Sequence, residues 1–157
     1  MTEGVTILAV DPGTKTGWAH SCGTSGTWDL KVKKDESSGM RLIRLRGKLT
    51  EMKANVGVTI LAYEANRYSG QGKRGSAQVV LSEFQALIKV WCLDNAVEFS
   101  GLSSSEIKSF ATGRGNASKQ EMIDAAIKKW RRPFDEKDNN EVDALWLLEF
   151  AKERFLV

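Results

Sequence analysis

Residues 58–64, Val-Thr-Ile-Leu-Ala-Tyr-Glu, are apolar almost without interruption and end on a carboxylate. A strand with one wet face alternates polar and apolar residues. A continuous run is the mark of a strand buried on both faces in parallel pairing, inside an α/β sheet. Residues 5–11, Val-Thr-Ile-Leu-Ala-Val-Asp, pose the same problem, with Asp11 at the end of the run and Pro12 and Gly13 directly behind it. A lone buried carboxylate loses its water and raises its own pKa unless a cation or hydrogen-bond donors compensate. If the two strands are parallel neighbours, Asp11 and Glu64 stand side by side at the edge where open α/β sheets bind ligands.

The remaining pattern gives the order βββαβαβααα. Three β-prone runs at 5–10, 16–20 and 24–32, separated by "DPGTKTG" and "SCGTSG", predict an antiparallel meander. Residues 37–55 carry a helical apolar pattern with Ser38 as candidate N-cap. After the strand at 58–64, a polar, glycine-containing loop leads into an apolar helix over 76–95. A fifth strand at 96–102, a short helix opened by serines spaced from Glu106 for a capping box, and helices over 118–131 and 140–155 complete the chain. The expectation is one domain over residues 1–157, a mixed five-stranded sheet flanked by helices.

With 157 residues, 41% hydrophobic and 27% charged, the chain has the makeup of an ordinary globular domain. No apolar run reaches membrane-spanning length, and Thr2, Glu3 and Gly4 lead straight into the first strand, so a cytoplasmic protein is expected. Cys22 and Cys92 form no Cys-x-x-Cys pair and His20 is the only histidine, which argues against zinc and suits a reducing compartment. The net charge of +3 matters less than its distribution. Arg67, Lys73 and Arg74 crowd a stretch free of acids, and Lys128, Lys129, Arg131 and Arg132 flank Trp130. Such clusters are either solvated faces or a surface for a polyanion.

Asp143 is a third displaced acid, on one helical face with Leu147 and Phe150. Each acid alone has a bland reading: turn residue for Asp11, strand terminus for Glu64, helix-dipole partner for Asp143, with Asn140 as N-cap. Together they suggest another. Converging carboxylates repel unless protonated or bridged by a cation, and oxygen ligands select Mg²⁺, with Mn²⁺ able to substitute. An acidic cluster in a basic protein points to metal-dependent phosphodiester hydrolysis.

"AVDPGTKTGWA", "LAYE", "NASKQEMI" and "NNEVDALWL" stand in the order and approximate spacing of the four motifs of the RuvC family, which this chain resembles over its whole length. The resemblance implies a ribonuclease H-like fold and a Holliday junction resolvase, a Mg-dependent crossover junction endodeoxyribonuclease of DNA recombination and repair. It makes Asp11, Glu64 and Asp143 metal ligands. Lys119 would stabilise charge on the scissile phosphate; the bland alternative is a first-turn lysine beside Met122, Ile123 and Ala126. Many resolvases carry a second acid where this chain has Asn140, which leaves the fourth ligand to the Asn140 amide, a water, Asp138 or Glu141. The small size and the departures from cellular sequences point towards a phage source, and so to a bacterial or phage-infected cytoplasm.

The same resemblance places residues 66–78 at the DNA branch point. Tyr68 would stack on an unpaired base, and Arg67, Lys73 and Arg74 would neutralise phosphates. Gly113, Arg114, Gly115 and Asn116 form a second phosphate-contacting candidate. The helix with Val79, Val80, Phe84, Leu87 and Trp91 is more apolar than one core face needs, as in a homodimer seam or a fully buried helix. Competing readings are a ribonuclease H-like nuclease acting on flaps, R-loops or RNA, and a catalytically silent nucleic-acid-binding module. An actin-like ATPase or sugar kinase is also suggested by "DPGTKTG", but those enzymes need two such domains. No small-molecule cofactor is expected.

Overall fold

The computed structural model describes residues 4–65 and 75–156, with only the backbone at Ser76. Five strands, β1 (Ile7–Asp11), β2 (Lys15–His20), β3 (Ser25–Asp29), β4 (Ile60–Ala65) and β5 (Glu98–Ser103), form one sheet in the order β3-β2-β1-β4-β5. The first three are an antiparallel meander; β1–β4 and β4–β5 are parallel. The two apolar runs pair like with like, Ile7 on Ile60, Leu8 on Leu61 and Ala9 on Ala62, so Asp11 and Glu64 follow one another at the same edge.

Strand alternation divides the core into two layers. Leu8, Val10, Leu61 and Tyr63 pack with Leu45 and Leu49 of α1 (Met40–Val56) and Phe84, Ile88 and Trp91 of α2 (Ser76–Asp94). Ile7, Ala9, Ala19 and Ala62 face the other way, against α3 (Ser104–Thr112), α4 (Lys119–Trp130) and α5 (Asn139–Phe155). Small residues on this second face let α5 lie close to β1 and β2. Asp11 and Glu64 continue the parity of Ala9 and Ala62, so both belong to the α5 side of the sheet.

The expected order of elements is present, with one added 3₁₀ turn at Glu136–Asp138. Several boundaries differ. Strand β3 stops at Asp29, because the residues beyond it pair with no neighbouring strand. Helix α1 is capped by Gly39 rather than Ser38, and the Ser37 hydroxyl accepts the Gly39 N–H instead. Helix α5 begins at Asn139 with Asp138 as its cap residue, because the 3₁₀ turn delivers the chain one residue earlier; Asn140 is already inside the first turn. None of the described helices is long and apolar enough to cross a membrane.

Candidate active site

Three chain-distant carboxyls meet at the C-terminal edge of β1 and β4. The Asp11 carboxyl is pushed well above the usual carboxylate range, first by burial and then by the charges of Glu64 and Asp143. Asp143, facing them from the second turn of α5, is raised to about 7 by burial and by Glu64, while Lys108 and Lys119 pull it back down. Burial and the like charges beside them favour the protonated forms of Asp11 and Asp143. Among the described residues, no group of three or more His, Cys, Asp or Glu is arranged to hold a metal ion. The donor set is nonetheless made of oxygens alone, crowded and under-compensated, which fits a hard divalent cation once the side chains turn towards it.

A cavity of about 150 Å³ is lined by Glu64 and Asp143 together with Lys108 and Lys119, and by Ser104, Ile107, Ala117 and Met122. Lys119 is the first residue of α4. A capping box fixes that end: the Ser118 hydroxyl accepts the Glu121 N–H at 3.1 Å, and Glu121 accepts the Ser118 N–H at 3.3 Å. The Trp146 indole donates to the Met122 carbonyl at 3.3 Å, tying α4 to the helix that carries Asp143. Lys108 lies in α3, whose cap Ser103 accepts the Glu106 N–H. Sequence reasoning missed Lys108. A lone lysine in a short helix carries no local signal; only the topology brings it to Asp143.

The other expected residues divide cleanly. Asn140 sits three residues before Asp143 on the same helix, against β2. Glu141 is occupied elsewhere, accepting from the Ser25 hydroxyl at 2.6 Å and pairing with Arg132 at 3.3 Å, and Asp138 accepts the Asp135 N–H at 2.9 Å. Arg114 is exposed and paired with Glu121 at 3.2 Å, and Asn116 is exposed in the same loop between α3 and α4. Arg67, Tyr68, Lys73 and Arg74 lie outside the described residues. The single histidine, His20, is buried and tied by Nε2 to the Gly57 carbonyl at 2.7 Å, with Nδ1 accepting from Cys22 N–H.

A mixed sheet of this order, with acids at the ends of the first and fourth strands and a third on the last helix, is a ribonuclease H-like fold of the RuvC type. Solved structures of junction resolvases share it. RuvC of Thermus thermophilus in complex with a Holliday junction substrate superposes with a TM-score of 0.76 at 15% identity, over 96% of each chain. A second T. thermophilus RuvC structure gives 0.72 at 14% identity over 96% of each chain. The yeast mitochondrial Holliday junction resolvase Ydc2 gives 0.57 at 14%, over 90% of this chain and 75% of its own. No protein-family model matches the sequence, and no curated protein does. The likeness is therefore one of fold, carried by topology where sequence identity has fallen away.

Proposed function

We propose that the protein is a metal-dependent endonuclease that resolves four-way DNA junctions. One observation carries the reading: three half-buried carboxyls from three elements crowd together, and two of them, Glu64 and Asp143, share a small cavity with two lysines. A pure binding module gains nothing from acids that repel phosphate. Asp11, Glu64 and Asp143 would hold the cation, with Asn140 as the remaining candidate for a fourth contact. Bound there, Mg²⁺ or Mn²⁺ supplies Lewis-acid polarisation of the scissile phosphate and activation of water. Lys119 and Lys108, which line the same cavity, would offset the charge that builds on the phosphate oxygens. Burial keeps these charges in a poorly screened setting, where each is worth more than in water. The fold shared with a RuvC–junction complex supports branched DNA as substrate.

A junction has approximate two-fold symmetry and needs two opposed nicks, which a C₂ homodimer with one site per strand would supply. The seam expected on α2 changes in one respect: Phe84 and Trp91 are 0% and 3% exposed, inside the protomer's own core. The outward stripe is Val79, Ala86, Val90 and Leu93, spaced 7, 4 and 3 residues apart on one helical face, and we assign the seam there.

The test is Mg²⁺-dependent cleavage of labelled four-way junction, flap, R-loop and linear duplex side by side. Symmetric nicks in the junction, with linear duplex left intact, are expected. Preferential cutting of flaps or R-loops would instead make the protein a different ribonuclease H-like nuclease, and binding without any cutting would make it a silent module.

A further inference from the structure

Two hollows flank the turn that follows β1. One, about 240 Å³, is lined by Asp11, Pro12, Glu64 and Leu81. The other, about 810 Å³, runs from Pro12, Gly13 and Leu81 to Ser38, just ahead of α1, and Arg41 in the first turn of α1. Pro12 and Leu81 border both, so together they form one trough leading away from the carboxylates.

At its far end stands Arg41, which has no counter-charge among the described residues. Arg41 Nε is the one buried side-chain nitrogen or oxygen without a hydrogen-bond partner among the described residues. None of the ion pairs there includes Arg41. Arg44, three residues on, shows the contrast: it pairs with Glu36 and donates to the Lys31 carbonyl at 3.0 Å. Residues 66–74, outside the described part, contain no acid in their sequence. A buried N–H donor left without a partner, as Arg41 Nε is among the described residues, is costly, and an oxyanion in the trough would recover that cost. The planar fork of arginine suits a phosphate, which it grips with two parallel hydrogen bonds. Apolar walls at Pro12, Val80 and Leu81 suit sugar faces, and the lining carries no carboxylate to repel the strand.

We propose that Arg41 holds a second phosphate of the strand being cut, fixing that strand's direction through the site. The subsite rests on the nuclease reading above and deepens it. It binds the backbone alone, so it carries strand register and polarity rather than base sequence.

The experiment is a scan of junctions bearing one neutral methylphosphonate at each position around the cut, bound in EDTA by wild type and by Arg41→Gln. Wild type should lose affinity on the order of tenfold at one position on one side of the cut. Arg41→Gln should show no penalty there, and its log–log salt slope should fall by about 0.9, one phosphate's worth. Arg41→Lys should keep the slope and lose part of the affinity. Arg46→Gln, exposed on the same helix, should leave the penalty in place. A flat scan with wild type, which needs no variant to fold, would overturn the subsite while leaving the nuclease reading intact. So would a penalty that survives in Arg41→Gln or vanishes equally in Arg46→Gln. A wild-type protein that binds no DNA at all would remove the nuclease reading, and the subsite with it.

Discussion

Gly17 of β2 lies directly against the backbone of Asn140 in the first turn of α5. A Cβ built on Gly17 would overlap the Asn140 carbonyl and come within 3.1 Å of the Glu141 nitrogen. Gly17 is also the β-sheet partner of Asp11. One close approach therefore sets how near α5 comes to the strand end, and with it the distance from Asp143 to Asp11. Gly17→Ala should push α5 outwards and cost about 1–3 kcal/mol, as overpacking does. Thermal melts should fall by several degrees, and cleavage should drop further than stability alone explains. A variant with unchanged melting temperature and unchanged cleavage would show that α5 is free to shift without consequence.

Asp11→Asn, Glu64→Gln and Asp143→Asn should each abolish cleavage while binding of the junction stays equal or tightens. Removing one carboxylate removes a cation ligand and, at the same time, a charge that repels phosphate. Gel-shift titration beside a cleavage time course reads both. An Asp143→Asn protein that cuts junctions at the wild-type rate contradicts the carboxylate cluster as the reaction centre.

The raised acids also make stability depend on pH. Asp11 is held above its ordinary value by burial, and Asp143 is raised by burial to about 7. Between the ordinary carboxylate range and about 7, the folded protein therefore binds more protons than the unfolded chain. Stability falls as pH rises through that window. In EDTA, the melting temperature should be higher at pH 5.5 than at pH 8, each ~1 kcal/mol moving it by roughly 2–4 °C. Adding Mg²⁺ at pH 8 should restore stability, by about 2.7 kcal/mol at a hundredfold excess over Kd. Melting temperatures that neither vary with pH nor respond to Mg²⁺ would argue against a cation site at these residues.

Lys108→Ala and Lys119→Ala should each slow single-turnover cleavage by roughly 10²-fold, the scale of losing one charge-stabilising contact. Exposed or half-exposed lysines contribute little to folding, so the melts should barely move. Equal loss in both variants would mean that the two act on the same phosphate. A large loss of melting temperature with an unaltered rate would assign Lys119 to the helix start alone.

The strand-end acids were legible because they break a pattern: a carboxylate at the end of a run such as Val58–Tyr63 has no packing reason to be there. The parallel pairing of the two runs and the α/β order followed from the same continuity. Lys108 and Arg41 were not legible. Each is an ordinary basic residue in a helix, and its significance comes from which charges the fold sets beside it or withholds from it. The exposed apolar stripe on α2 was half legible. Apolar content marked the helix, but only the packed sheet shows that Phe84 and Trp91 turn inwards while Val90 and Leu93 turn out.

That outward stripe carries the last prediction. Val79, Val90 and Leu93 are 55%, 56% and 74% exposed, an apolar load that a solvated helix has no use for. If two copies pair there, the interface is isologous: each α2 meets its counterpart about a two-fold axis. Leu93→Lys combined with Val90→Asp should then yield a monomer that still folds, because neither residue contributes to the protomer's own core. Light scattering over a concentration series reads the mass. The monomer should retain its carboxylates and lysines yet nick only one strand of a junction per encounter, leaving nicked junctions to accumulate. A wild type that stays monomeric at micromolar concentration, alone and on junction DNA, would contradict the dimer and favour a single-nick nuclease.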